Sequence, residues 1–328
     1  MATYKEISGT NIEVLASDPS NPVEGQVWYN STDNVVKGAA LTAVAAWSTG
    51  ASMNTARTQV SGAGTSNTSA LAFGGEGPPT TGATESYNGS AWTEVNDLNS
   101  AKQLAAGTGT QTSALSMGGL VSSVKSANTE SWNGTSWTEV NNLNTARRDL
   151  GSAGADTTAA LAFGGNLSPG ITANTESWNG TSWTEVNDLN TSRILPGSTG
   201  TQPSALCIGG YNSAFTVVYD LTESWNGTSW TEVNDLNSAR VGGAGAGTTT
   251  AALAFGGGGT PPIVANTENW NGSSWTELSD LNAAISKAAG AGTNTSALSF
   301  GGNNPPDTIS AATEKWTAGP LTVTFTDS

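Results

Sequence analysis

Five of the eleven basic residues in this 328-residue chain fall at one repeated position: Arg57, Lys102, Arg147, Arg193 and Arg240. The sixth equivalent position holds Ile285. Two chemistries suit such a set. Five cations converging on one opening would form a ring at a channel mouth, able to hold an anion or a ligand carboxylate. Alternatively, each cation meets the carboxylate of a Thr-Glu step that recurs in register with it, at Glu85, Glu130, Glu176, Glu223, Glu268 and Glu314. Those pairs would then lock neighbouring parts of the fold together. The second arrangement is the expected one. A residue repeated in every unit is more often scaffold than catalyst, because catalysis needs one asymmetric site. The same reasoning sets aside multiplied carboxylate pairs such as Glu130 and Glu139.

Other chemistry is restricted by what the chain lacks. It contains no histidine and one cysteine, Cys207, so a Cys/His zinc centre, an imidazole-ligated copper and a disulfide framework are all excluded. No cofactor or metal is expected. Cys207 stands in an apolar run and reads as a buried, inert thiol. The formal charge of −15 repels a phosphate backbone, which argues against nucleic acid as a partner. No apolar run is long enough to span a membrane, and Met1-Ala2-Thr3-Tyr4-Lys5 begins no apolar signal core. The expectation is a protein made in the cytoplasm with no coded route through a membrane.

The elements that position these residues follow from internal repetition. An apolar run ending in two glycines begins at Ala70, Ala114, Ala160, Ala205, Ala252 and Ala297, six copies spaced 44 to 47 residues apart. A second segment, Thr129-Glu130-Ser131-Trp132-Asn133-Gly134-Thr135-Ser136-Trp137-Thr138-Glu139-Val140, recurs nearly letter for letter from Thr175 and Thr222, and with changes from Thr84 and Thr267. This period with short strands and turn signals predicts an all-β, six-bladed propeller with four strands per blade. The first strand follows the basic position. The second is the Ala-Leu-Ala-Phe run, with Leu71 and Phe73 on one face and alanines on the other. The third and fourth form a hairpin at Asn-Gly. A two-residue turn at Asn133-Gly134 would set Trp132 opposite Thr135 and Glu130 opposite Trp137, making the tryptophans diagonal neighbours on one bulky face. Blades would stack bulky face on slim face, and burial of the 12 tryptophans would supply most of the stability.

The circle also has a predicted closure. Trp47 to Arg57 matches Trp137 to Arg147 without a gap, while the last unit stops at Thr313-Glu314-Lys315-Trp316 without its second tryptophan. An N-terminal strand at Trp47 therefore completes the sixth blade and removes an exposed edge. Residues 39–328 are assigned to the propeller and residues 1–38 to an N-terminal arm. In the arm, Gln26-Val27-Trp28-Tyr29 reads as a strand leading into a turn at Ser31 to Asn34. The tail from Pro320 alternates in a way that suits one further strand.

The double glycine after an apolar strand, followed by an aromatic, a Trp and a downstream Arg, resembles the Kelch repeat over about residues 40 to 318, with the usual tyrosine present only as Tyr87. The Gly-Ala-Gly-Thr, Ala-Leu-Ala-Phe-Gly-Gly and Thr-Glu-Ser-Trp-Asn-Gly segments resemble repeats in structural proteins of marine bacteriophages. The stretch from Asp18 to Thr32 resembles the start of phage tail and fibre proteins. The resemblance implies a non-enzymatic virion protein of the tail, a fibre or the capsid surface, oligomeric within the particle. Its partners would be other virion proteins, through the arm, and a host-surface glycan or receptor. A purely architectural decoration or adaptor subunit is the alternative, and a glycan-acting hydrolase a weaker one. The Ser131 to Trp137 segment resembles the Asp-box of sialidase propellers, but it is one residue short and has Asn in place of the aspartate.

Comparing units within the chain, the scaffold stays fixed and the loop after the double glycine changes. Those six loops should emerge on one face, where a rigid scaffold commonly presents binding residues. The fourth is the longest and carries Tyr211, Phe215 and Tyr219, aromatics suited either to stacking on a ligand or to packing the loop on its own blade.

Overall fold

The computed structural model describes residues 12–17, 27–32, 34–38, 45–212, 216–258 and 262–318. It divides into two compact units, Ala46–Thr317 and a second made of Met1–Ala45 with Ala318–Ser328. The propeller unit thus begins at Ala46, later than the boundary expected at residue 38. The tail expected as a further strand lies outside the described residues.

The smaller unit holds a three-stranded sheet of Glu13–Leu15, Val27–Asn30 and Val35–Gly38 in that order. The first pair is parallel and the second antiparallel, around the expected turn. Ser31 anchors the sheet by donating its backbone N–H to the Leu15 carbonyl at 2.8 Å.

The larger unit is a six-bladed β-propeller of six four-stranded antiparallel sheets. In the first blade the strands are Ser61–Ser66, Ser69–Phe73, Thr84–Tyr87 and Trp92–Val95. The sixth is built from Ala289–Gly292, Ser296–Phe300 and Thr313–Thr317, completed by Ala46–Thr49. Trp47 stands directly opposite Trp316. The propeller's first strand in chain order and its last thus share one sheet, as the unmatched Trp47 segment requires.

The hairpin register differs from the two-residue expectation. Trp132 lies opposite Trp137, and Glu130 opposite Glu139. The turn is the four-residue Asn133-Gly134-Thr135-Ser136. A type I′ turn needs positive φ at both central residues, whereas here only Gly134 has it, at +92°. The Asn133 Oδ1 instead accepts the backbone N–H of Thr135 and of Ser136, each at 2.9 Å. The side chain thereby closes the turn itself, a common use of asparagine. The tryptophans still share one face, but as a direct pair with centroids 5.4 Å apart.

Neither face of a blade is uniformly bulky. The indoles share their face with the second-strand alanines, and Leu71 and Phe73 share the other face with Ser86 and Thr84. Stacking therefore sets Trp132 and Trp137 of the second blade against Leu71 and Phe73 of the first. Trp137 lies 4.8 Å from Phe73 and donates its indole N–H to the Thr84 Oγ1 at 3.1 Å. Indole-to-threonine bonds recur at Trp47–Thr267, Trp92–Thr313, Trp230–Thr175 and Trp275–Thr222. At the remaining joint neither the Trp183 Nε1 nor the Thr129 Oγ1 has a partner. There Met117 occupies the place of Phe73.

The double glycine has its own task. Gly75, at φ +101°, donates its N–H to the Lys102 carbonyl, and a Cβ there would lie 2.8 Å from the Thr58 carbonyl oxygen. The equivalent bonds run Gly119 to Arg147, Gly165 to Arg193, Gly210 to Arg240, Gly257 to Ile285 and Gly302 to Arg57, the last one closing the circle. Each blade is thus pinned by its second glycine to the connector that leads into the next.

Candidate functional site

The five repeated cations do not ring the channel mouth. Each is buried, and each meets its Thr-Glu carboxylate: Arg57–Glu85 at 2.8 Å, Lys102–Glu130 at 3.2 Å, Arg147–Glu176 at 3.1 Å, Arg193–Glu223 at 2.5 Å, and Arg240–Glu268. The physical reason is the connector's position. Its backbone is pinned to the preceding blade by the double-glycine bond, so the guanidinium reaches into the following blade. Arg147 donates there to the carbonyls of Gly164, Asn174 and Ala162 at 3.2, 2.7 and 3.1 Å. Burial depresses the pKa of Arg57, Lys102, Arg147 and Arg240, and the facing glutamates oppose that shift. These groups are bolts between blades. In every blade the glutamate also accepts N–H groups from the turn before the basic position, as Glu176 does from the Asn144 N–H at 2.7 Å and its Nδ2 at 2.8 Å. In the sixth, where Ile285 stands, Glu314 keeps these bonds, from the N–H of Asn282 at 2.7 Å, its Nδ2 at 2.6 Å and the N–H of Ala283 at 3.2 Å, without a cation.

The channel mouth is formed two residues further along. Gln59, Leu104, Asp149, Leu195 and Lys287 all have φ between +50° and +59°, and Gly242 has +63°. That left-handed conformation turns the chain across the axis. Backbone hydrogen bonds link these residues into a collar: Gln59 donates to Lys287, Lys287 to Gly242, Gly242 to Leu195, Leu195 to Asp149 and Asp149 to Leu104, at 2.7 to 3.1 Å. Behind the collar the innermost strands line a bore of about 210 Å3 with glycine, alanine, serine and threonine. The collar itself frames a cavity of about 120 Å3.

Collar and variable loops form one face. The residue before each collar position bridges to the residue that follows the double glycine, as in Thr58–Glu76, Gln103–Leu120, Arg148–Asn166 and Ile194–Tyr211. The scaffold therefore repeats while the collar side chains and loops differ from blade to blade, which is the asymmetry that selective binding needs.

The fourth loop is a hairpin rather than a loose segment, because its strands extend to Ser204–Tyr211 and Val218–Trp225. Tyr211 pairs with Val218 and Gly210 with Tyr219, so the two tyrosines lie on opposite faces of the hairpin and do not form one platform. The Tyr219 ring covers the Arg193 guanidinium at 5.5 Å, which commits it to packing on its own blade. Tyr211 is half-buried. Phe215 lies outside the described residues. Cys207 is fully buried and its thiol is pushed up to about 12 by that burial. Among the described residues no group of three or more His, Cys, Asp or Glu is placed to hold a metal ion.

Asp149 is the residue that repeat-based reasoning passed over. It is 5% exposed, its Oδ2 lies 3.2 Å from the Arg148 Nη1, and its Oδ1 has no partner. Burial raises its pKa to about 6, against the pull of Arg148, Lys287 and Lys125. The charged form is thus disfavoured in the fold: the contribution of the protonated carboxyl to stability is complete below the unfolded value near 4 and is lost as pH rises through about 6. Asp149→Asn, which keeps the left-handed backbone acceptable, should match the native protein at pH 4 and exceed it at pH 8 by on the order of 2 kcal/mol. Paired urea denaturation at the two pH values checks this, and an advantage equal at both would contradict it.

No protein-family model and no curated protein sequence matches this chain. Among solved structures, that of YjhT is similar to it, with a TM-score of 0.67 at 12% sequence identity, covering 82% of this chain and 97% of its own. At that identity the likeness supports the propeller fold alone.

Proposed function

We propose that this protein is a non-enzymatic binding component of a bacteriophage particle, a Kelch-like propeller whose loop-and-collar face engages a host-surface glycan or receptor. The observation that carries this reading is the division of labour within the chain. Bolts, double glycines and tryptophan pairs repeat from blade to blade, while variation gathers on one face. A rigid frame with one variable face suits recognition. The phage assignment rests on the resemblance of the repeats and of the Asp18 to Thr32 stretch to phage structural proteins. In this reading the N-terminal arm joins other virion proteins.

Two measurements test it. Purified protein should bind defined components on a host-envelope glycan array without releasing product from them. Removing residues 1–38 should leave a soluble propeller that fails to enter particles. Product release would favour a hydrolase, and a silent array with the protein lodged between two other subunits would favour an architectural role. Normal incorporation of the truncated chain would refute the role given to the arm.

A further inference from the structure

The propeller unit carries nine of the chain's cations. Five are neutralised inside the blade bolts, and Lys315 donates to the Gly89 carbonyl at 3.1 Å, in a hairpin turn at the end opposite the loops. The three that remain, Lys125, Arg148 and Lys287, come from different blades and lie at the collar and its adjoining groove. All three act electrostatically on Asp149 of the collar, and Arg148 also acts on Lys125. Lys287 is itself a collar residue. Lys125 reaches from the second blade's loop across to the third, donating to the Leu167 carbonyl and approaching the Ser168 Oγ at 3.5 Å. Set among these three is the Asp149 carboxyl, so three cations act around one carboxyl in a protein of net charge −15.

The shape beside this cluster suits a chain-like ligand. A groove of about 550 Å3 runs between the loops of the second and third blades, lined by Val124, Lys125, Thr145, Leu167 and Ser168. The segment from Thr145 to Leu150 leads from this groove through Arg148 and Asp149 to the collar cavity. Hydroxyls line the groove, and the Gln59 Oε1 at the mouth has no partner. Such groups hydrogen-bond sugar hydroxyls, while the cations select for acidic substituents.

We propose that the axial mouth and its adjoining groove bind an acidic polysaccharide, with Lys125, Arg148 and Lys287 holding its carboxylate or sulfate groups. This rests on the recognition role given above to the loop face and specifies its ligand class. Asp149 tunes the site: as pH falls through about 6 it loses its charge, the three cations lose their internal counter-ion, and the affinity for an anion rises.

The test is calorimetric titration of the full chain with oligogalacturonate, for carboxylates, and with dextran sulfate, for sulfate esters, against neutral dextran. At least one anionic probe should bind and neutral dextran should not. Lys287→Gln should fold normally, because Gln59 occupies the same collar position at φ +54°, and should weaken binding severalfold. The triple variant Lys125→Gln, Arg148→Gln, Lys287→Gln should weaken it by about tenfold or more. Lys315→Gln, at the far face, should leave binding unchanged. Native-like affinity in the triple variant, equal weakening by Lys315→Gln, equal binding of neutral dextran, or binding of neither anionic probe would each overturn the proposal. Particle adsorption to host cells separates the two readings. Adsorption through this face with no affinity for either probe sinks the acidic-ligand assignment alone. Probe binding with adsorption untouched by the triple variant sinks the adhesion role.

Discussion

A chain lacking residues 1–44 is expected to melt as the full propeller unit does, whereas one lacking residues 1–50 is expected to melt on the order of 10 °C lower and to aggregate as its concentration rises. The six residues between these truncations include the whole closing strand, Ala46–Thr49. Trp47 is 6% exposed, packs 4.8 Å from Phe255 and 5.5 Å from Trp316, and donates its indole N–H to the Thr267 Oγ1 at 2.9 Å. Removing a buried tryptophan costs about 3–5 kcal/mol. The strand's departure also strips the ladder from Thr313–Thr317, leaving an unpaired edge that can template pairing with another chain. Calorimetric melting with light scattering over a concentration series checks both parts. Equal midpoints for the two truncations would show that the sixth blade stands without its fourth strand.

Arg147→Ala is expected to destabilise the propeller by about 3–5 kcal/mol, because it leaves one partner of a buried ion pair behind. Glu176 would lose its cation, and the carbonyls of Gly164, Asn174 and Ala162 would lose donors. Two natural positions in the same chain grade the effect. The second blade already uses lysine, with Lys102 meeting Glu130 and donating to the Asn128 Oδ1 at 2.7 Å. Asn174 holds the corresponding place in the third blade, so Arg147→Lys should cost far less than the alanine change. The sixth blade uses isoleucine, leaving Glu314 with only the backbone and amide N–H bonds that Glu176 also has from Asn144. Arg147→Ile, which refills part of the space, should fall between the two. Urea denaturation of the three variants gives the order, and an alanine variant within 1 kcal/mol of the native protein would contradict the buried-pair account.

Much of this was legible in the sequence because a propeller writes the same solution six times. The 44-to-47-residue period set the blade, the unmatched Trp47 set the closure, and repetition of the basic and Thr-Glu positions in register pointed to pairing within the scaffold. The alternation around Leu71 and Phe73 assigned the second strand's faces. These features are local or periodic, so covalent order alone displays them.

Tertiary structure decided the rest. The hairpin register turned on whether Asn133 closes the turn with its backbone or with its side chain, and a dipeptide motif does not distinguish the two. Tyr211 and Tyr219 sit eight residues apart on one hairpin, yet pairing sends them to opposite faces. The channel mouth forms not at Arg57 and its equivalents, which pair with carboxylates as expected, but at Gln59 and its equivalents, because a left-handed residue two positions later swings each connector across the axis. Only when the ring closes do Lys125, Arg148 and Lys287, up to 162 residues apart, all come within electrostatic reach of Asp149. Charge gathered across blades in this way has no period along the chain, since each blade supplies a different residue and closure alone brings them together.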